Sequence, residues 1–489
     1  HDLLGVDLAP IQRVVFEDMW FKNFVIVVAG RGGGKSVAVD SLSHIKEKGL
    51  VYLNEILPPI PTYLRNGDEE VIAWDGSVYT TNGFKPIKKL CLEKGINGKE
   101  LRTQSGFINK GSNHHPLLVL DCDCNFVYKK MDEFRIGDKV CIQRDQGVFG
   151  DNIISSDEAY LIGLFIGDGH IKTKNAVGIT TTDAYIKKFC VDYCLNNDVS
   201  FRVYNDKRTT NTSTIRFKKF DNFFTKYGIN RVLSYYKSVP YSIRTATNKT
   251  QKMFLQGYFD TDGTVDRSKG GVSCCSVSKK LLQEIQLMLL NFGIVGKLRK
   301  KKTKSKFGKA YLLDIFSKDA LKFKELIGFR LKRKQIVLDD YFDTKKLNVN
   351  KDVVPFALYL CYSITKHYHD VYITSKKPSF QIPSGKTKRT TNELTYELLH
   401  KFLVQCKRIE EAGFSLINVK NQIDKLKNIL QYNYYFDEVV SVKDWKGDCY
   451  DFEMDMSNEP NYFANGFINH NTYMLGVLAT LSCLLKPGY

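Results

Sequence analysis

AGRGGGK (residues 29–35) runs straight into Ser36, and NHNT (residues 469–472) stands near the other end of the chain. Reading Lys35 directly onto Thr472 gives VVAGRGGGKTYMLGVLATLSCLLKPGY. That text holds an apolar strand, a glycine-rich turn with Gly32 and Gly34, then Lys-Thr and an apolar helix. In this order backbone N–H groups and a helix N-terminus can cradle phosphates. Neither half makes the turn alone, so residues 36–471 read as an insertion in the phosphate loop of another protein.

Outward from those junctions, the chain has 489 residues, 43% of them hydrophobic. It is long enough for roughly three domains at ~100–200 residues each. Lys and Arg outnumber Asp and Glu by 72 to 53, a net +19, which points to a polyanionic partner. Nucleic acid fits better than a membrane, because no apolar run approaches the ~18–20 residues that span a bilayer. The N-terminus shows no charged start followed by an apolar core and cleavage site, so a cytoplasmic location is expected. The cysteines form no CxxC pair, which argues against a zinc site or disulfide frame and for reduced, buried thiols.

The flanks, 1–35 and 472–489, are too short to fold alone. PIQRVVFEDMWFKNFVIVVAGRGGGK followed by TYMLGVLATLSCLLKPG resembles the N-terminal ATPase region of a phage large terminase, the motor that packages DNA. The resemblance covers these flanks only and implies a phage-infected bacterial cell. It implies that Lys35 contacts β/γ phosphates, that Thr472 holds Mg²⁺ after joining, and that Gln12 lies near the adenine. ATP would then bind only the joined protein, through Gly32, Gly34, Lys35 and Thr472. Ala29 replaces the first glycine of the usual loop, and no Walker B acid, arginine finger or nuclease domain of that family is seen.

Residues 36–150 and 436–471 resemble the two parts of an intein splicing domain, an all-β fold of the Hedgehog and intein type. Short alternating stretches such as PLLVLDCDC and DKVCIQ suit it. Self-excision needs a nucleophile at the upstream junction, a group that distorts and protonates its amide, a terminal Asn and a second nucleophile after it. By resemblance, Ser36 attacks the carbonyl of Lys35, Thr472 takes over the acyl group, and Asn471 cyclises with His470 beside it. No cofactor is needed. GSNHHPLLV places Ser112 and His115 in the family's T-x-x-H motif, so His115 would assist cleavage at Lys35-Ser36. VKDWKGDCYDFEMDMSNEPNYFANGFINHN places Asp451 where inteins carry an acid that coordinates the two cleavages. Pro460 stands where many inteins have His, and Ser36 where most have Cys. A thiolate is far more available near neutral pH than a Ser alkoxide, so Ser36, natural or introduced, implies slowed or blocked splicing.

Between the two parts, residues 151–345 contain EAYLIGLFIGDGH (158–170) and KMFLQGYFDTDGTV (252–265). Each reads as an apolar helix with small residues on one side, Gly163 and Gly167 in the first, Gly257 and Thr261 in the second. Missing side chains let the two backbones approach closely. Each ends in Asp-Gly, and a carboxylate at the negative end of a helix is unfavourable unless a cation binds. Two such acids at one seam suit Mg²⁺ and phosphodiester hydrolysis.

The repeat resembles the two-motif LAGLIDADG homing endonucleases, an α+β fold arranged as an αββαββα pseudo-dimer. The likeness continues through SVSKKLLQEIQLMLLNFGIVGKL and LIGFRLKRKQIVLDDY. It implies metal-binding acids at Asp168 and Asp262, and a lysine near the active site at Lys237. Asp260 has Ile166 as its counterpart and is left out. The stretches KNAVGITTTD, SFRVYNDKR with TSTIRFKKF, and GKLRKKKTKSKFGKAYLLDIF would form the sheet that lies in the DNA major groove. Lys297, Arg299, Lys300, Lys301, Lys302, Lys304, Lys306 and Lys309 would meet phosphates.

Residues 346–435 hold two segments with helical periodicity and the basic loop SKKPSFQIPSGKTKR. They form either an added DNA-binding piece or a helical brace returning the chain to the splicing domain, with a brace that also makes minor DNA contact preferred. The whole reads as a multidomain, intein-interrupted terminase segment whose endonuclease cuts the intein-free gene as a monomer on double-stranded DNA. The rival is a splicing element whose LAGLIDADG domain binds DNA without cutting it.

Overall fold

The computed structural model describes residues 36–56, 63–66, 69–145, 147–171, 177–205, 212–301, 309–344, 352–372, 378–382, 392–454 and 461–471. Gln12, Gly32, Gly34, Lys35, Lys302, Lys304, Lys306, Pro460 and Thr472 lie outside them.

Two long antiparallel strands, Gly83–Thr103 and Tyr435–Met454, organise the β-rich part. Buried Ile87, Leu90, Leu101, Tyr450 and Phe452 face its cores, while Lys99 and Asp444 pair at 2.6 Å on the outer side. Register shifts beyond Val439, Gly447 and Glu453 bend the pair, as bulges do. The strands belong to one thirteen-stranded sheet. Val37–Ala38 enters it between Ile108–Ser112 and Tyr435–Met454, and Phe467–His470 lies between Asn461–Ala464 and Pro116–Leu120. Val37–Ala38 and Phe467–His470 are therefore inner strands, with paired backbones on both sides.

The α+β part repeats αββαββα twice. The first copy runs from Ser156–Asp168 through helix Ala184–Asn196 to helix Asp221–Tyr227, and the second from Asn248–Asp262 through helix Lys279–Asn291 to helix Ser317–Leu326. Each copy has a four-stranded sheet with its strands in the order first, second, fourth, third. Helix Lys332–Thr344 follows the second copy.

The two motif helices, Ser156–Asp168 and Asn248–Asp262, cross at their glycines. A methyl group on Gly163 would lie 2.3 Å from the Phe254 carbonyl oxygen and 2.9 Å from Gly257 Cα. On Gly257 it would lie 2.2 Å from the Tyr160 carbonyl oxygen. Gly169 and Gly263, which end the helices, are extended (φ −70° and −85°) rather than left-handed. They are required for another reason: a Cβ on either would lie 2.3 Å from the carbonyl oxygen four residues earlier.

The parts share packing. Tyr52 Oη donates to Glu284 at 2.7 Å, and buried Arg244 binds Glu55 through two nitrogens at 2.7 and 3.0 Å and the Leu50 carbonyl at 3.2 Å. Helices Ala357–Val371, Tyr396–Glu411 and Lys420–Tyr432 form one core with Leu118, Leu120, Cys141, Phe436, Phe463 and Ile468 of the large sheet. Arg144 ties them to it through Asp352 and Asn433. The basic loop lies largely outside the described residues. The described cysteines are all free, and all but Cys122 and Cys275 are buried. No helix among the described residues is long and apolar enough to cross a membrane.

Candidate functional site

The antiparallel register Val37↔Tyr450, Ala38↔Cys449 carries Ser36 to the Asp451 end of the long strand. Ser36 is fully buried. Its backbone N–H donates to Ser112 Oγ at 3.2 Å, and its carbonyl accepts from the Ser112 N–H at 3.0 Å. Its hydroxyl donates to Glu93 Oε2 at 2.6 Å. Glu93 sits opposite Cys449 in the strand register, and the Cys449 thiol, also bonded to Ser36, is pushed up to about 12 by burial.

His115 is fully buried, and its Nε2 lies 2.8 Å from Asn469 Oδ1, which also accepts from Asn109 Nδ2 at 3.1 Å. A Cβ on Gly111 would stand 2.8 Å from the Ser36 carbonyl oxygen and 3.4 Å from the His115 ring, so the two share that spot. At the downstream junction the Asn471 side chain donates to the Phe452 carbonyl at 2.8 Å, next to Asp451. The His470 ring packs edge-on against Tyr128, with centroids 4.5 Å apart. Ser36 and Asn471 thus meet the long strand at residues 449–452, while Ser112 flanks Ser36 from the opposite neighbouring strand and His115 lies close to the Ser36 carbonyl. Glu93 and Asn469 join them without a sequence signal of their own beyond the FINHN ending.

At the second centre, Asp168 and Asp262 end the motif helices. Burial raises both carboxyls, and the nearby Asp168 charge helps to push Asp262 up to about 6. Lys237 and Lys334 offset this in part. Lys237 Nζ donates to the carbonyls of Ile166 and Gly167 at 2.7 and 2.9 Å, answering the negative end of the first helix. Lys334 Nζ does the same for the second, at Phe259, Asp260 and Gly263 (2.8, 2.7 and 2.5 Å), and burial lowers it to about 8.

Sequence reading missed Lys334, although the repeat could have found it. It follows Asp262 by 72 residues (334 − 262), against 69 (237 − 168) for Lys237 after Asp168. Asp260 accepts from Tyr160 Oη at 2.7 Å and from the N–H groups of Arg330 and Leu331, a structural pin.

On the expected DNA face, Lys300, Lys301 and Lys309 are exposed and Lys297 is half-buried. Arg299 is bonded through Nε to Asp314 at 2.5 Å on the next strand, so the cation run does have one acid, supplied from outside it. In the first sheet, exposed Arg202 and Arg216 stand opposite each other, with Arg216 over the Tyr204 ring at 4.8 Å.

Residues 249–328, which span the second motif helix and second sheet, match the sequence profile of the LAGLIDADG-like domain. It is 25% identical over 322 residues to replication factor C small subunit of Methanocaldococcus jannaschii, covering 64% of this chain and 17% of that protein. It is 25% identical to the ATP-dependent DNA helicase Hel308 of the same organism (94% of this chain, 44% of that protein). It is 23% identical to the replicative DNA helicase DnaB of a Synechocystis strain (88% and 50%). The chain spans half or less of these relatives' lengths. Among solved structures, variants of the homing endonuclease I-DmoI align with TM-score 0.28 at 21% identity, over 35% of this chain and 95% of theirs. The TvoVMA intein aligns with TM-score 0.21 at 15% identity, over 23% and 71%.

Proposed function

We propose that residues 36–471 are a self-splicing intein carrying a divalent-metal homing endonuclease, and that the flanks belong to a phage terminase ATPase. The observation that carries the splicing reading is the placement of Ser36 and Asn471, far apart in sequence, at one strand segment, 449–452. Relatives with different names, a replication factor C small subunit, a probable translation initiation factor and DNA helicases, also match this chain, which supports an insert carried by different hosts.

In this reading Ser36 Oγ bonds to the Lys35 carbonyl carbon as the amide breaks, and Thr472 then takes the acyl group. Asn471 Nδ2 closes on its own carbonyl carbon, releasing the joined flanks. An O-to-N shift restores the amide. Mass spectrometry tests it: the chain should convert to residues 1–35 joined to 472–489 plus a free 36–471 fragment. Asn471→Ala should stop it. An intact Asn471 chain after prolonged incubation, with Ser36→Cys also intact, would defeat the reading.

For the endonuclease, Asp168 and Asp262 would hold Mg²⁺. Two carboxylates suit an ion that keeps several waters and takes phosphate oxygens, and no group of three or more His, Cys, Asp or Glu gathers among the described residues. The bound ion would supply charge stabilisation to a phosphodiester undergoing hydrolysis. Lys237 and Lys334 hold their cations beside the acids, where they can face developing phosphate charge. A monomer supplies both halves of the seam. Cleavage of DNA spanning the joined phosphate-loop codons, lost with Asp168→Asn, tests it; binding without cutting would favour the inactive rival.

A further inference from the structure

Resting on the splicing reading, we propose that Glu93 is a catalytic residue, the general base that activates Ser36. A serine hydroxyl is a weak nucleophile until a neighbouring base takes its proton, whereas a cysteine thiol near ~8.5 needs less help. Ser36 has such a neighbour. The Glu93 carboxylate accepts from its Oγ at 2.6 Å, within the range of a charge-assisted O–H···O⁻ bond, and both groups are buried.

The other groups at Ser36 have different parts. The Cys449 thiol is raised to about 12 by burial, so it stays protonated at neutral pH and is no base for Ser36. Ser112 Oγ holds the backbone nitrogen, and His115 Nε2 is engaged by Asn469. Among the described contacts of the Ser36 hydroxyl, Glu93 alone is a base.

The step balances without an outside reagent. The Oγ–H proton moves to Glu93 as the bond from Oγ to the Lys35 carbonyl carbon forms. As the bond from that carbon to Ser36 N breaks, the proton returns to the nitrogen, with the Ser112 hydroxyl beside it as a relay. The products are an ester and a neutral amine. The position is set by register: Glu93 faces Cys449 across the two long strands, and Ser36 enters beside the same strand, so the base, the nucleophile and the downstream acid share one scaffold. In this chain the carboxylate does for serine what the intrinsic acidity of a thiol does for cysteine.

The test reads the first step alone in an Asn471→Ala chain, as hydroxylamine-induced cleavage between residues 35 and 36. Glu93→Gln should lower that rate by ~10²–10⁴-fold with Ser36, the usual worth of a positioned base, and by less than ~10-fold in a Ser36→Cys version. Equal losses with both nucleophiles, or no loss with Ser36, would overturn the proposal. Near-UV circular dichroism of Glu93→Gln should match the parent, which reports a folded domain. If it does not, Glu93→Asp decides: it should recover at least a tenth of the parent rate with Ser36, and no recovery overturns the proposal. If Ser36→Cys with Glu93 present shows no cleavage at residue 35, the splicing reading itself fails and takes this proposal with it.

Discussion

Lys237 and Lys334 close the C-termini of the two motif helices in matching fashion, each donating to the backbone carbonyl two residues before the terminal aspartate, Ile166 in one and Asp260 in the other. Their matched placement links both ammonium groups to the Asp168–Asp262 pair. Lys237→Met and Lys334→Met should each lower DNA cleavage by ~10²-fold or more while leaving affinity for target DNA within about tenfold, since such donors act on developing charge. Single-turnover cleavage beside equilibrium binding would show the split. Equal losses in binding and cutting would place the lysines in DNA recognition instead.

Asp262 carries a carboxyl raised from its usual 3.8 to about 6, so its ionisation opposes folding. A group raised in the folded state adds stability that is complete below its unfolded value and is lost as pH rises through the folded one. The metal-free chain should therefore lose stability between pH 3.8 and about 6 on this group's account. Asp262→Asn should raise the melting temperature at pH 7 while abolishing cleavage, and divalent cation should stabilise the parent above pH 6 but not the variant. At limiting divalent cation, cleavage should weaken as pH falls towards 6, because the proton on Asp262 competes with the ion, and saturating cation should move that limb to lower pH. A flat pH profile at limiting cation would exclude Asp262 as a ligand of the ion.

Gly163→Ala places a methyl group 2.3 Å from the Phe254 carbonyl oxygen and 2.7 Å from the Tyr258 nitrogen, where backbone cannot yield cheaply. The helices must separate, and overpacking of this kind costs about 1–3 kcal/mol. Urea unfolding would read that loss. Separation also moves Asp168 away from Asp262, so cleavage should fall further than stability alone explains. Gly228→Ala is the control: nothing lies within 4 Å of the added methyl, although its φ of +65° costs some strain.

Asn469→Ala removes the acceptor shared by His115 and Asn109. The imidazole loses the bond that sets its orientation, and a displacement of an ångström can cost ~10²-fold in rate. Cleavage at residue 35 should slow by about that factor. The His115→Ala change, added to it, should slow the step little more, because both act through one group. Full additivity would mean that Asn469 works elsewhere.

Much of the second centre was legible because its pattern is repeated. Two Asp-Gly helix ends, each preceded by small residues, announce a close helical seam and a pair of acids, and the seam forms at Gly163 and Gly257 as expected. The same logic, applied once more, would have reached Lys334. The Arg299 side chain was less legible: its run of neighbours holds no acid, yet Asp314 answers it from the adjacent strand. A cation run read along the chain says nothing of what stands beside it across a sheet.

The sequence alone supplied the proposed ends of an insert, because reading Lys35 onto Thr472 completes a phosphate-loop text that neither flank holds by itself. It also offered candidate site residues wherever the motifs are short and local. Only the tertiary structure brought Glu93 to the Ser36 hydroxyl, Asn469 to His115, and Lys334 to the acids. The first two contacts join sheet strands far apart in the chain and the third joins separate helices, so side chains meet through strand register and helix crossing, which local spacing does not encode.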